Sequence, residues 1–143
     1  MTDAREAIMV GRATDGRIVR RPLSPHLQAY KWTPSMAGSI LHRVSGVALS
    51  AGALMLACWL VAAATSDVAY DGVSSFLRSP FGVLLLLGWV AALWYHFCAG
   101  LRHLFWDAGL GFDKAVTNRN TTLIYLATAV LTLLTWIVLF AQL

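Results

Sequence analysis

Apolar and polar positions along this chain do not alternate at short period; they fall into blocks. Three blocks contain no Asp, Glu, Lys or Arg: from about Val44 to Ala64, between Arg78 and Arg102, and from about Thr121 to Leu143. Each is long enough to cross about 30 Å of hydrocarbon as a helix rising about 1.5 Å per residue. The pattern predicts an all-α integral membrane fold with three transmembrane helices, over about residues 40–64, 80–103 and 120–143. Ser35 or Ser39 is a candidate cap for the first helix, and Pro80 behind Ser79 suits the opening of the second. Asn118, Asn120 or Thr121 are candidate starts for the third. No apolar core follows Met1 closely enough for a signal peptide, so the first span is expected to stay as an anchor.

The segments before the first span read differently. Residues 1–38 form an N-terminal part, a basic tail to about Arg21 without periodicity and then a stretch with Pro22, Pro25 and Pro34. The prolines argue against a continuous helix, and Tyr30 and Trp32 suit the headgroup zone. Residues 39–143 form the anchor domain. On its first span Gly46, Ala48, Ser50, Ala51, Gly52 and Ala53 make a small-residue surface that lets another helix approach closely. Three helices are a poor self-sufficient unit, so the chain is expected to be part of a larger heteromeric helix bundle.

Composition agrees with a membrane protein: 58% of residues are hydrophobic and 13% charged, against roughly a quarter charged in soluble domains. The net charge of +4 is not a nucleic-acid signal. Arg5, Arg12, Arg17, Arg20, Arg21, Lys31 and Arg43 precede the first span, Arg78 borders the first loop, and Arg102, Lys114 and Arg119 fall to the second. By the positive-inside rule the N-terminus and second loop are cytoplasmic, and the first loop and C-terminus periplasmic. Cys58 and Cys98 lie within spans, without a CxxC partner, and read as small packing residues.

Candidate chemistry concentrates in two places. On the second span His96, Gly100, His103 and Asp107 share one helical face. An ionisable group inside a membrane is expensive, so it marks a functional site or a specific partner. Two readings of His96 are open: a hydrogen bond to a neighbouring helix and nothing else, or ligation of haem iron by a neutral imidazole. Gly100, one turn on, lets a flat macrocycle lie against the backbone. A second axial histidine is then expected from another subunit, because His26 and His42 lie outside the spans or at their mouth. His103 sits at the boundary, where propionates, water or headgroups are in reach. Asp107 pairs with Arg102 or Arg43 at the surface, or relays protons.

At the entry to the first span, Ser39 and Arg43 are four residues apart and share a face. A hydroxyl and a guanidinium beside lipid suit a quinone, whose carbonyl oxygen gains negative charge on reduction. The alternative is that His42 and Arg43 are flanking residues that reach for headgroups.

Three sequence blocks, Arg21-Pro22-Leu23-Ser24-Pro25-His26-Leu27, Ser39-Ile40-Leu41-His42-Arg43-Val44-Ser45-Gly46, and His96 with Gly100, Arg102-His103 and Trp106-Asp107, resemble the cytochrome b membrane-anchor subunits of succinate dehydrogenase (respiratory complex II), in their alphaproteobacterial and mitochondrial branch. Ala29 departs from the pattern, standing where a larger apolar residue is common. The resemblance implies a multi-pass subunit of the bacterial inner membrane that pairs with a second membrane-anchor subunit, holds haem b and docks a flavoprotein and an iron–sulfur protein on the cytoplasmic face. It implies His96 as the axial haem ligand, with the second axial histidine from the partner. His42, Arg43, Gly100 and His103 form the haem and propionate surroundings, and Ser39 and Arg43 are ubiquinone-site residues. Succinate oxidation itself falls to another subunit, and this chain contributes to quinone reduction. The competing readings are a fumarate reductase-type anchor and a haem-free structural scaffold.

Overall fold

The computed structural model describes residues 9–20 and 32–142. The expectations for the first block of the resemblance, for Tyr30 and for Ala29 lie outside the described residues. The chain divides into two units, Met1–Trp32 and Thr33–Leu143.

In the first unit, β1 (Val10–Arg12) pairs antiparallel with β2 (Ile18–Arg20) in the register Val10↔Arg20, Gly11↔Val19, Arg12↔Ile18. The connecting turn is built on Asp15 and Gly16. Gly16 takes φ 82°, a left-handed value that glycine adopts without steric cost. The Asp15 carboxylate accepts from the Arg17 backbone N–H at 3.1 Å and from its Nε at 2.6 Å. The Arg17 guanidinium thereby holds the Asp15 carboxyl below its ordinary range. The tail to Arg21, read as a basic segment without periodicity, thus contains a hairpin. Its signal was the Asp-Gly pair, a strong turn former, which a search for periodicity passes over.

The second unit consists of α1 (Pro34–Thr65), α2 (Asp67–Arg78), α3 (Pro80–Asp107) and α4 (Lys114–Phe140). α1, α3 and α4 are each long and apolar enough to cross a membrane. Side-chain oxygens cap every helix start. Thr33 accepts from the Met36 N–H, Ser66 from Ala69, Ser79 from Gly82, and Asp113 from Ala115 and Val116. Pro34 and Pro80 fill first-turn positions where no N–H is needed.

These boundaries differ from the expected ones in instructive ways. α1 starts at Pro34 because Thr33, not Ser35 or Ser39, supplies the cap. α3 continues through Arg102 and His103 to Asp107, so Arg102 belongs to the helix and not to a loop. α4 starts at Lys114, ahead of Asn118, Asn120 and Thr121. Inside α4 the Thr121 hydroxyl donates to the Thr117 carbonyl at 2.8 Å and Thr122 to Asn118 at 3.2 Å, which turns possible caps into interior residues. α2, a short amphipathic helix between the first two spans, was not anticipated.

α3 packs against both α1 and α4. The small core is Tyr95, Ala99 and Ile124, flanked by Cys98 and Tyr125. Cys98 therefore does serve as a packing residue, whereas Cys58 is exposed. The Tyr95 and Tyr125 rings stack with centroids 5.9 Å apart, and the Tyr95 hydroxyl donates to the Gly38 carbonyl at 2.7 Å. Farther along, the Trp94 indole N–H donates to Thr135 Oγ1 at 2.9 Å. Large apolar residues such as Leu54, Leu84 and Leu133 point outward, as suits helices surrounded by lipid or by other spans.

At Gly52 the Trp89 indole lies against bare backbone, and a Cβ would clash with the indole nitrogen and the two ring carbons beside it. No atom lies within 4 Å of a Cβ built at Gly88. Gly52→Ala is expected to destabilise the unit by about 1–3 kcal/mol through overpacking. Gly88→Ala should be neutral or slightly stabilising, by up to about 1 kcal/mol. Unfolding of the two variants in detergent, compared with the unsubstituted protein, checks the difference.

Candidate functional site: a histidine seam between two helices

The first and third helices meet through imidazoles. The His42 ring, from α1, stacks on His96 of α3 with centroids 4.1 Å apart and planes inclined by 22°. On its other side it faces His103, with centroids at 4.8 Å. His96 and His103 are seven residues apart, two turns of one face, and His42 enters between them. His103 also meets the edge of Trp106 at 5.1 Å. The expected polar face of α3 thus acquires a third histidine from α1.

The protonation of His96 follows from its neighbours. Its Nδ1 lies 3.1 Å from Ser45 Oγ and 3.2 Å from the His42 carbonyl oxygen. Ser45 donates its own hydroxyl hydrogen to that same carbonyl at 2.8 Å. A carbonyl can only accept, and the Ser45 hydrogen is committed to it. Both contacts of Nδ1 are satisfied together only when Nδ1 carries the hydrogen and donates. In the neutral ring the lone pair is then on Nε2, which makes no hydrogen bond among the described residues. Ser45 is 6% exposed. Gly46 completes the cradle: a Cβ there would stand 3.2 Å from His96 Cε1. One turn along α3, a Cβ at Gly100 would meet nothing within 4 Å, so the surface beyond His96 is open. His42 Nε2 is buried without a hydrogen-bond partner among the described residues.

Of the two readings of His96, the hydrogen bond to a neighbouring helix is therefore made, and it engages one nitrogen of two. Ser45 entered the sequence reading only as a letter of a motif, and its role was missed. The available signal was its position three residues after His42, which puts its hydroxyl within reach of the His42 carbonyl.

The remaining candidates stand apart from this network. Ser39 is half-buried and Arg43 exposed on α1. Asp107 is exposed at the last residue of α3. The surface pair expected between Asp107 and Arg102 or Arg43 does not form; the ion pair among the described residues is Arg17–Asp15. The reason is that Arg102 turns inward. It is 4% exposed, donates from Nη1 to Thr121 Oγ1 at 2.7 Å, and lays its guanidinium 4.5 Å from the centre of the Trp106 ring. Trp106 is thus a cation–π partner.

Two clefts lie elsewhere. One of about 400 Å³ runs between α3 and α4 beside Arg102, Trp106 and Asn120. Another of about 550 Å³ is lined by Gly52, Met55, Trp59, Leu77 and Trp89. Neither includes the histidines, which lie half-buried along the α1–α3 seam.

This arrangement can be set beside known proteins. The family described as succinate dehydrogenase/fumarate reductase transmembrane subunit matches residues 17–135. The succinate dehydrogenase cytochrome b556 subunit of Paracoccus denitrificans is 44% identical over 120 residues, covering 84% of this chain and 92% of the relative. That of Rickettsia felis is 38% identical over 121 residues, 82% and 92% of the two chains. The mitochondrial cytochrome b560 subunit of Sus scrofa is 36% identical over 110 residues, 76% and 65%. The family match reaches from the hairpin into the last span and contains every histidine of the seam, and the chain belongs to the succinate dehydrogenase/fumarate reductase transmembrane subunits.

Proposed function

We propose that the chain is the cytochrome b anchor subunit of a succinate:quinone oxidoreductase, binding haem b and forming part of its quinone site. The observation that carries this reading is His96: one ring nitrogen is fixed as donor to α1, and the other keeps its lone pair, while one turn on the backbone at Gly100 is open. A metal-bound histidine generally donates its second nitrogen to a carbonyl or similar acceptor in this way. The names of the relatives, cytochrome b556 and b560 subunits of succinate dehydrogenase, support a haem and the succinate direction.

Haem b, when bound, supplies one-electron storage. In this reading His96 would hold the iron through Nε2, and a second histidine would come from a second membrane-anchor subunit. His42 and His103 flank His96 and offer ring N–H groups to the propionates, and Gly100 leaves room for the macrocycle. Ser39 and Arg43, one turn apart at the mouth of α1, hold ubiquinone. The hydroxyl donates to a carbonyl oxygen and the guanidinium stabilises the negative charge that grows there. Asp107, exposed at the end of α3, would pass protons toward the quinol in this reading. Succinate is oxidised on a flavoprotein partner, and electrons reach the quinone through an iron–sulfur partner. The basic residues around α1 and at the start of α4 support a cytoplasmic N-terminus and a periplasmic C-terminus in the inner membrane.

Two variants test these roles in the purified complex. His96→Ala should abolish the sharp α band of the dithionite-reduced spectrum, while the partners still oxidise succinate with a soluble dye. An unchanged α band sinks the assignment of His96. Arg43→Ala should lower quinone reduction by about a hundredfold and dye reduction far less. Equal loss of both activities assigns Arg43 to assembly.

A further inference from the structure

We propose that Ser45 is a positioning residue that tunes the iron affinity and potential of the haem through His96, with Gly46 setting the tilt of the imidazole; this rests on the haem reading above. Serines in membrane helices commonly bond back to their own helix, and Ser50 on α1 does so, donating to the Gly46 carbonyl at 3.0 Å from an exposed position. Ser45 differs in what its oxygen does next. Having given its hydrogen to the His42 carbonyl, it turns a lone pair to His96 Nδ1 across the helix interface. The carbonyl it bonds is the second acceptor of the same Nδ1–H. Ser45 thus closes a three-membered polar ring, and two acceptors share one imidazole hydrogen in an apolar surrounding.

Acceptors on Nδ1–H draw the hydrogen outward and make the ring a stronger electron donor at Nε2. A stronger donor favours ferric over ferrous iron. Removing the Ser45 oxygen leaves the His42 carbonyl alone at 3.2 Å and weakens that donation, so the haem becomes easier to reduce. Gly46 acts by space. With a Cβ 3.2 Å from Cε1, the ring must shift by a few tenths of an ångström while keeping both acceptors.

The test is potentiometric titration of the α band, with low-temperature EPR of the ferric state, on the whole complex purified with its partner subunits. Ser45→Ala should raise the ferrous-to-ferric ratio at a fixed ambient potential about threefold, about 28 mV for a one-electron couple. Ser45→Thr retains the hydroxyl oxygen and should stay near the unsubstituted value. Gly46→Ala should shift the ferric g-values with haem retained. If Ser45→Ala does not assemble, the equally shaped pair Ser45→Thr and Ser45→Val isolates the oxygen, and the Val variant should be the easier to reduce. Equal potentials in that pair, or in Ser45→Ala and the unsubstituted complex, overturn the proposal while haem ligation stands. No haem in the unsubstituted complex, or an α band retained in His96→Ala, overturns the underlying reading instead.

Discussion

A polar side chain inside hydrocarbon needs a partner, and the long-range polar contacts of this chain all serve that need. Helix backbones already satisfy themselves. Apolar contact does not favour one helix alignment strongly, because lipid tails are as apolar as leucine. The register between spans is therefore left to a few polar contacts among the described residues: His96 to Ser45 and the His42 carbonyl, Tyr95 to the Gly38 carbonyl, Arg102 to Thr121, Trp94 to Thr135, and Tyr125 to the Pro34 carbonyl. The Tyr125–Pro34 bond joins α4 to α1 directly, and the others all run from α3, the helix that carries most of the alignment.

Those contacts need close approach, and small residues on α1 allow it. Gly46 admits the His96 ring and Gly52 the Trp89 indole. At Gly38 a Cβ would stand 3.2 Å from the Thr121 methyl group. The small-residue surface expected to let another helix approach closely is thus used in part by α3 of the same chain. Outward, the spans present leucine, valine and phenylalanine to their surroundings. The histidine seam itself lies half-buried along the α1–α3 contact.

Arg102 shows how strongly burial redirects a charge. Read along the sequence, it marks the edge of a span. In the folded chain it is enclosed among α1, α3 and α4, stacked on Trp106 and bonded to Thr121. Its Nε and Nη2 are buried without partners among the described residues. Asp107 is left exposed, free of the ion pair that sequence proximity suggested.

The number of spans, their approximate limits, the Pro80 helix start and the histidine-bearing face of α3 were all legible in the amino-acid order. They depend on local quantities: run length, charge, and a period of 3.6 residues. The α2 helix and the early start of α4 were hidden because a search for long apolar runs passes over amphipathic and polar turns. The tertiary structure alone decided that His42 fits between His96 and His103, that Ser45 fixes the hydrogen on His96, and that Arg102 faces inward. Each of these joins residues on different helices, and the rotation and depth of one helix against another is set by packing, not by any pattern within one strand of sequence.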